Sequence, residues 1–217
     1  MKASEFLINL DNILAEANKE DEYEYNLNTF FDYDNLYPLG CAIEDLFPNC
    51  SVNSGCQSLT IIDDNDARVL KLTRENLNIL NDFYDVLPDI YTPFFAPVQE
   101  EASFEVGNIT YYIFSQVVVD CDKKGASSNT YKPDWQSKGN LNADDQLLAT
   151  MGEGLDPMHP EDAINKFLST ILDILDEPQF FHKLRGDFHG GNWGMSYGHP
   201  VIFDPFFIGE FWHDDEF

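Results

Sequence analysis

One run of residues, ITYYIFSQVVV at 109–119, constrains this chain more than any other. It is almost continuously apolar and rich in β-branched and aromatic residues, so it is expected as a buried strand. Gly107 and Asn108 precede it, and a shorter extended stretch at 102–106 lies before them, which predicts a β-hairpin. A second hairpin is predicted upstream. SLTII at 58–62 and ARVLKL at 67–72 flank DDND at 63–66, a turn cluster. Hydrophobic residues make up 43% of the 217-residue chain and aromatic residues 14%, enough to bury a core and to make wholesale disorder improbable.

Helical periodicity surrounds these hairpins. Ser4 is a candidate N-cap, and Phe6, Leu7, Leu10, Ile13 and Leu14 form an apolar face on a helix ending near Lys19. Residues 20–38 read as irregular, and 40–47 as a short helix stopped by Pro48. Residues 74–87 place Leu77, Leu80, Phe83 and Leu87 on one face. From Pro160 onward Ala163, Ile164, Phe167, Leu168, Ile171, Leu172 and Leu175 do the same, until Pro178. The polar stretch 120–158 reads as a linker or insertion. The expectation is an α+β chain with an acidic N-terminal extension (1–50), an antiparallel-sheet lobe (51–120) and a smaller helical lobe (121–217).

Charge narrows the function classes. Asp and Glu number 39 against 12 Lys and Arg, for a net charge of −27. Direct nucleic-acid binding is disfavoured, because it runs on clustered Lys and Arg that neutralise phosphates. Residues 1–66 hold 14 acids and only Lys2 and Lys19 as bases, so partners with basic surfaces are expected. No apolar run is long enough to span a membrane. The N-terminus does not read as a secretory signal. Cys41, Cys50, Cys56 and Cys121 contain no C-x-x-C pair, which suggests reduced thiols in a cytoplasm rather than a zinc site.

The chemistry concentrates in RGDFHGGN at 185–192 and VIFDP at 201–205. Asp187 and Asn192 are five residues apart, and Asp204 follows Asn192 by twelve. This is the spacing of a phosphotransferase catalytic loop, D-x-x-x-x-N, followed by a metal-binding Asp. Phosphoryl transfer needs a carboxylate to orient the attacking hydroxyl and accept its proton, a role for Asp187. Mg²⁺ takes hard oxygen ligands, which Asn192 and Asp204 would supply. Gly190 and Gly191 would let backbone approach phosphates. The plainer alternative makes Asp187, Asn192 and Asp204 turn residues. Upstream, Lys71 interrupts an apolar strand and needs an anion, either the phosphates of ATP or solvent at a sheet edge.

Read together, these residues make the chain resemble the protein-kinase-like fold, a compact bilobal fold with a small antiparallel-sheet N-lobe and here a truncated helical C-lobe. Within that fold it is most similar to the early serine/threonine protein kinases of short-tailed bacteriophages, which share a D-x-H-x-G-N loop and an Asp-Pro in place of Asp-Phe-Gly. The resemblance covers roughly 50–207. It implies use of ATP and Mg²⁺, autophosphorylation, and phosphorylation of host proteins in an infected bacterial cytoplasm. By position, Lys71 would grip the ATP phosphates, Asp187 would be the base with His189 beside it, and Asn192 and Asp204 would hold metal. Ser115 to Val118, including Gln116 and Val118, would face adenine, and Gly55 would lie in the phosphate-covering loop.

Several positions depart from that pattern. The loop at 53–58 has one glycine rather than three. No Glu follows Lys71 at the usual distance, so Asp82 or Asp85 would stand in. Arg185 precedes Asp187 where His is usual, and His189 is a feature of small-molecule kinases of the same fold. Thirteen residues follow Asp204, so no activation segment or substrate-docking platform is expected. Two rival functions remain. One is a small-molecule kinase. The other is an acidic, DNA-mimicking binding protein on a kinase-like scaffold that occupies a host DNA-binding or defence protein.

Overall fold

Strand alternation organises the first part of the chain. The computed structural model describes residues 1–17, 36–54, 58–106, 109–121, 142–188 and 190–208. It falls into two compact units, Met1–Asn78 with Val98–Val118, and Ile79–Pro97 with Val119–Phe217. The architecture is α+β.

In the first unit β1 (Cys50–Ser54), β2 (Ser58–Asp63), β3 (Arg68–Thr73), β4 (Gln99–Val106) and β5 (Ile109–Val117) form an antiparallel sheet. Their order is β1-β2-β3-β5-β4, so the apolar run has a strand on each side. β1 was not foreseen, because Val52 and Cys50 are its only apolar residues. It is held by pairing with the more apolar β2, Val52 opposite Ile61. β4 begins at Gln99 rather than 102, with a register shift between Glu100 and Ala102.

Two helices, α1 (Ala3–Ala17) and α2 (Leu36–Leu46), belong to the same unit. Phe6 and Ile13 of α1, and Leu39, Ala42 and Ile43 of α2, share one core with Leu59, Ile61, Leu70, Leu72, Tyr111 and Ile113 of the sheet. Register puts those sheet residues on a single face, since Leu59 opposes Leu72, Ile61 opposes Leu70 and Leu72 opposes Ile113. Ser4 is not the cap of α1. The carbonyl of Lys2 accepts from the N–H groups of Glu5 and Phe6, so the helix is already under way at Ser4. The expected end near Lys19 lies outside the described residues.

The second unit takes up α3 (Asn78–Val86) from its second residue, then a 3-10 turn at Thr92–Phe94, β6 (Asn142–Ala143), α4 (Asp145–Leu155) and α5 (Pro160–Leu175). Four short strands follow: β7 (Leu184–Phe188), β8 (Trp193–Ser196), β9 (His199–Ile202) and β10 (Phe206–Ile208). α3 starts four residues later than its periodicity predicts. Side chains divert the backbone first: Thr73 Oγ1 accepts from the Glu75 N–H at 3.0 Å and Asn76 Oδ1 from the Asn78 N–H at 2.9 Å.

Residues 142–155 correct the linker expectation. Asp144 caps α4, its carboxylate accepting from the N–H groups of Gln146 (2.8 Å) and Leu147 (3.0 Å), and Leu147, Leu148 and Met151 are buried. The core of this unit is aromatic. Phe83 meets Phe206 edge-on at 4.6 Å and Phe180 at 6.0 Å, while Phe95 meets Phe188 at 6.1 Å. Among the described residues no helix is long and apolar enough to cross a membrane.

Candidate active site

Asp187 lies in β7 rather than in a loop, and it is buried, only 4% exposed. Two backbone seams and one side-chain amide place it. β7 pairs antiparallel with β10, and the Asp187 N–H donates to the Pro205 carbonyl at 2.8 Å. β6 pairs parallel with β7, Asn142 opposite Asp187, and the Asp144 N–H donates to the Phe188 carbonyl at 2.9 Å. The following loop returns to Asp187 through Asn192. Its amide nitrogen donates both to the Asp187 backbone carbonyl and to the Asp187 carboxylate, each at 2.9 Å.

Asn192 and Asp204 leave the same end of the β8–β9 hairpin. Trp193 opposes Ile202, and the Phe203 N–H donates to the Asn192 carbonyl at 2.9 Å. Asp204 therefore follows one residue beyond the pair, immediately before the Pro205 that binds Asp187. The turn of this hairpin holds Tyr197 at φ 50° and Gly198 at φ 83°, a pair of left-handed residues that suits a tight two-residue connection. Gly194 is required for a different reason. A Cβ there would lie 2.7 Å from the Asp120 carbonyl oxygen, where Asp120 and Met195 exchange backbone hydrogen bonds of 3.0 and 2.9 Å.

The arrangement suits metal–phosphate chemistry. With its amide nitrogen turned to Asp187, Asn192 leaves its carbonyl oxygen out of these bonds, and Asp204 follows at the same hairpin end, so that both are oxygen donors of the kind a hard cation takes. Gly190 runs close to a further carboxylate, since a Cβ there would lie 3.0 Å from Asp144 Oδ2. Within reach of the Asp204 charge lies the hydroxyl of Tyr84, buried and without a hydrogen-bond partner among the described residues. Burial, and then the charge of Asp204, push that phenol far above its ordinary value. Leaving such a hydroxyl unsatisfied costs about 1–3 kcal/mol.

Lys71, Gln116 and Val118, also expected at the site, lie in the first unit. Lys71 stands on β3, the central strand of five, so it is not a surface lysine at a sheet edge. It alternates away from the face that carries Leu70 and Leu72, shares the other face with Val69 and Thr73, and is 4% exposed. Gln116, opposite Val69 on β5, is also buried. The Val118 N–H donates to the Ala67 carbonyl at 3.0 Å, so any contact from this residue's backbone to adenine falls to its carbonyl. Asp82 and Asp85 are exposed on α3, in the second unit. Gly55 and His189 lie outside the described residues, as does Cys56.

Two neighbours of these residues escaped the sequence reading. Asp144 carries a legible signal, an acidic cap followed by Leu147, Leu148 and Met151 at helical spacing. Tyr84 carries none, since its periodicity marks only a shoulder of α3. Among the described residues no group of three or more His, Cys, Asp or Glu is placed to hold a metal by itself, so a cation here would draw on amide, water or phosphate oxygens as well. No protein-family model matches the chain, and neither a curated protein nor a solved structure matches it.

Proposed function

We propose that this chain is an ATP- and Mg²⁺-dependent phosphotransferase of protein-kinase-like, bilobal architecture. Its most specific form is a phage-type serine/threonine protein kinase, acting on itself and on host proteins with basic surfaces in the bacterial cytoplasm. One observation carries this reading: Asn192 bridges the backbone and the carboxylate of Asp187 at the hairpin end from which Asp204 departs. Turn residues satisfy their own neighbours. Here the chain instead returns a neutral amide to a buried carboxylate and sends out a second one. Lys71 on the third strand supports it further, since that is where a kinase-like lobe carries its phosphate-gripping lysine.

In this reading Asp187 orients the acceptor hydroxyl and receives its proton, while Asn192 fixes the carboxylate rotamer. Bound Mg²⁺ would neutralise charge on the phosphates, with Asn192 and Asp204 holding it. Lys71 binds the phosphates. The net charge of −27 opposes an approaching nucleotide only over about 8 Å at physiological salt, so the local groups decide binding. The test is labelling. Purified protein with Mg²⁺ and γ-labelled ATP should transfer label to itself or to proteins of a bacterial lysate; no transfer to either refutes the enzyme.

A second reading is favoured by the charge alone. Glu5, Asp11, Glu44, Asp45 and Asp64 are all exposed on the first unit, and a DNA-mimicking surface would use such carboxylates against a basic host protein. Neutralising them should weaken that complex and flatten its salt dependence; an unchanged salt slope excludes the mimic.

A further inference from the structure

Tyr84 has no part in the reading above, yet its placement is specific. It sits on α3 next to Phe83, which packs edge-on against Phe206 at 4.6 Å. Its own ring lies 5.8 Å from that of Phe95. Phe95 in turn bridges Ile202 and meets Phe188, the residue after Asp187. The aromatic core thus ties this stretch of α3 to Phe188, next to Asp187, and to Ile202 and Phe206, two residues either side of Asp204. At the end of this rigid ring is a buried hydroxyl with no hydrogen-bond partner among the described residues.

Buried hydroxyls are normally satisfied, and an orphan beside a functional carboxylate implies a partner that arrives with a ligand. We propose that Tyr84 is a positioning residue of the metal–phosphate site, its hydroxyl donating a hydrogen bond to an oxygen of the group that Asp204 holds. That oxygen belongs either to metal-bound water or to a phosphate. The inference rests on the phosphotransferase reading and deepens it by adding a donor. A Phe at this position would pack equally well and lack only the donor.

The experiment is Tyr84→Phe, read by Mn²⁺ binding rather than by turnover. Free Mn²⁺ is followed by electron paramagnetic resonance, with Mn²⁺ alone and with Mn²⁺ plus a non-hydrolysable ATP analogue, and ligand-free stability is measured in urea. The variant should hold or gain ligand-free stability, because it loses an unsatisfied group, while affinity falls roughly 5- to 20-fold. A loss with Mn²⁺ alone assigns the donor to metal-bound water; a loss only with the analogue assigns it to a phosphate oxygen. In an Asp204→Asn background the same change should add no further loss. Reduced ligand-free stability with unchanged affinity would make the hydroxyl structural and overturn the inference, leaving the phosphotransferase reading intact. Wild-type protein that binds neither Mn²⁺ nor its nucleotide complex overturns both.

Discussion

Lys71 and Asp187 are both charged, both on strands and equally buried, yet they are held in opposite ways. Lys71 occupies the middle of a regular five-stranded sheet, where simple alternation turns it away from the apolar face. Asp187 sits on the middle strand of the short sheet β10-β7-β6, its N–H held by the Pro205 carbonyl and its carboxylate by the Asn192 amide. Regular pairing places a side chain by rule. Irregular closure places it by a few named hydrogen bonds, so the second site should be the more sensitive to single changes.

Substitution at the irregular site should give the largest effect. Asp187→Ala or Asp204→Ala should lower phosphoryl transfer by about 10²–10⁴-fold in single-turnover assays while the circular dichroism spectrum is kept. Retention of full transfer would remove Asp187 as base. Lys71→Met tests the regular site. It should weaken Mg²⁺–ATP binding by about 10–100-fold, measured by calorimetry. A falling urea midpoint with intact binding would make Lys71 a structural cation.

Gly194→Ala addresses closure itself. The new methyl meets the Asp120 carbonyl at 2.7 Å, and overpacking should cost about 1–3 kcal/mol in denaturant unfolding. A neutral result would mean that the hairpin can shift, and that Asn192 and Asp204 are less firmly held than the hydrogen bonds imply. The smallest effect is alkaline. Tyr84 and Tyr111, one in each unit, both ionise above the ordinary phenol value of 10.0, burial being the first cause. Above that pH the unfolded chain loses protons that the folded chain keeps, so stability should fall as pH rises. Replacing both with Phe should flatten the decline; an unchanged slope would place its origin elsewhere.

Much of this was readable beforehand. Alternation and turn chemistry placed β2, β3 and β5, and the spacing singled out Asp187, Asn192 and Asp204, of which the fold joins Asn192 to Asp187 by hydrogen bonds. Other features were not readable, for physical reasons. β1 has too few apolar residues to declare itself and exists through its partner. Asp144 and α4 were hidden by the polar stretch ahead of them, although the cap and its leucines were in plain view. The register of β7 against β10, which turns the Asp187 N–H to Pro205, belongs to no local pattern.

Sequence alone determined which residues can do chemistry and which strands must be buried, because periodicity and side-chain type are local properties. Tertiary structure decided which of them meet. The Asn192 amide found Asp187, and the Tyr84 ring came to pack against Phe95, only because strand pairing and aromatic packing closed loops whose geometry no neighbouring residue dictates.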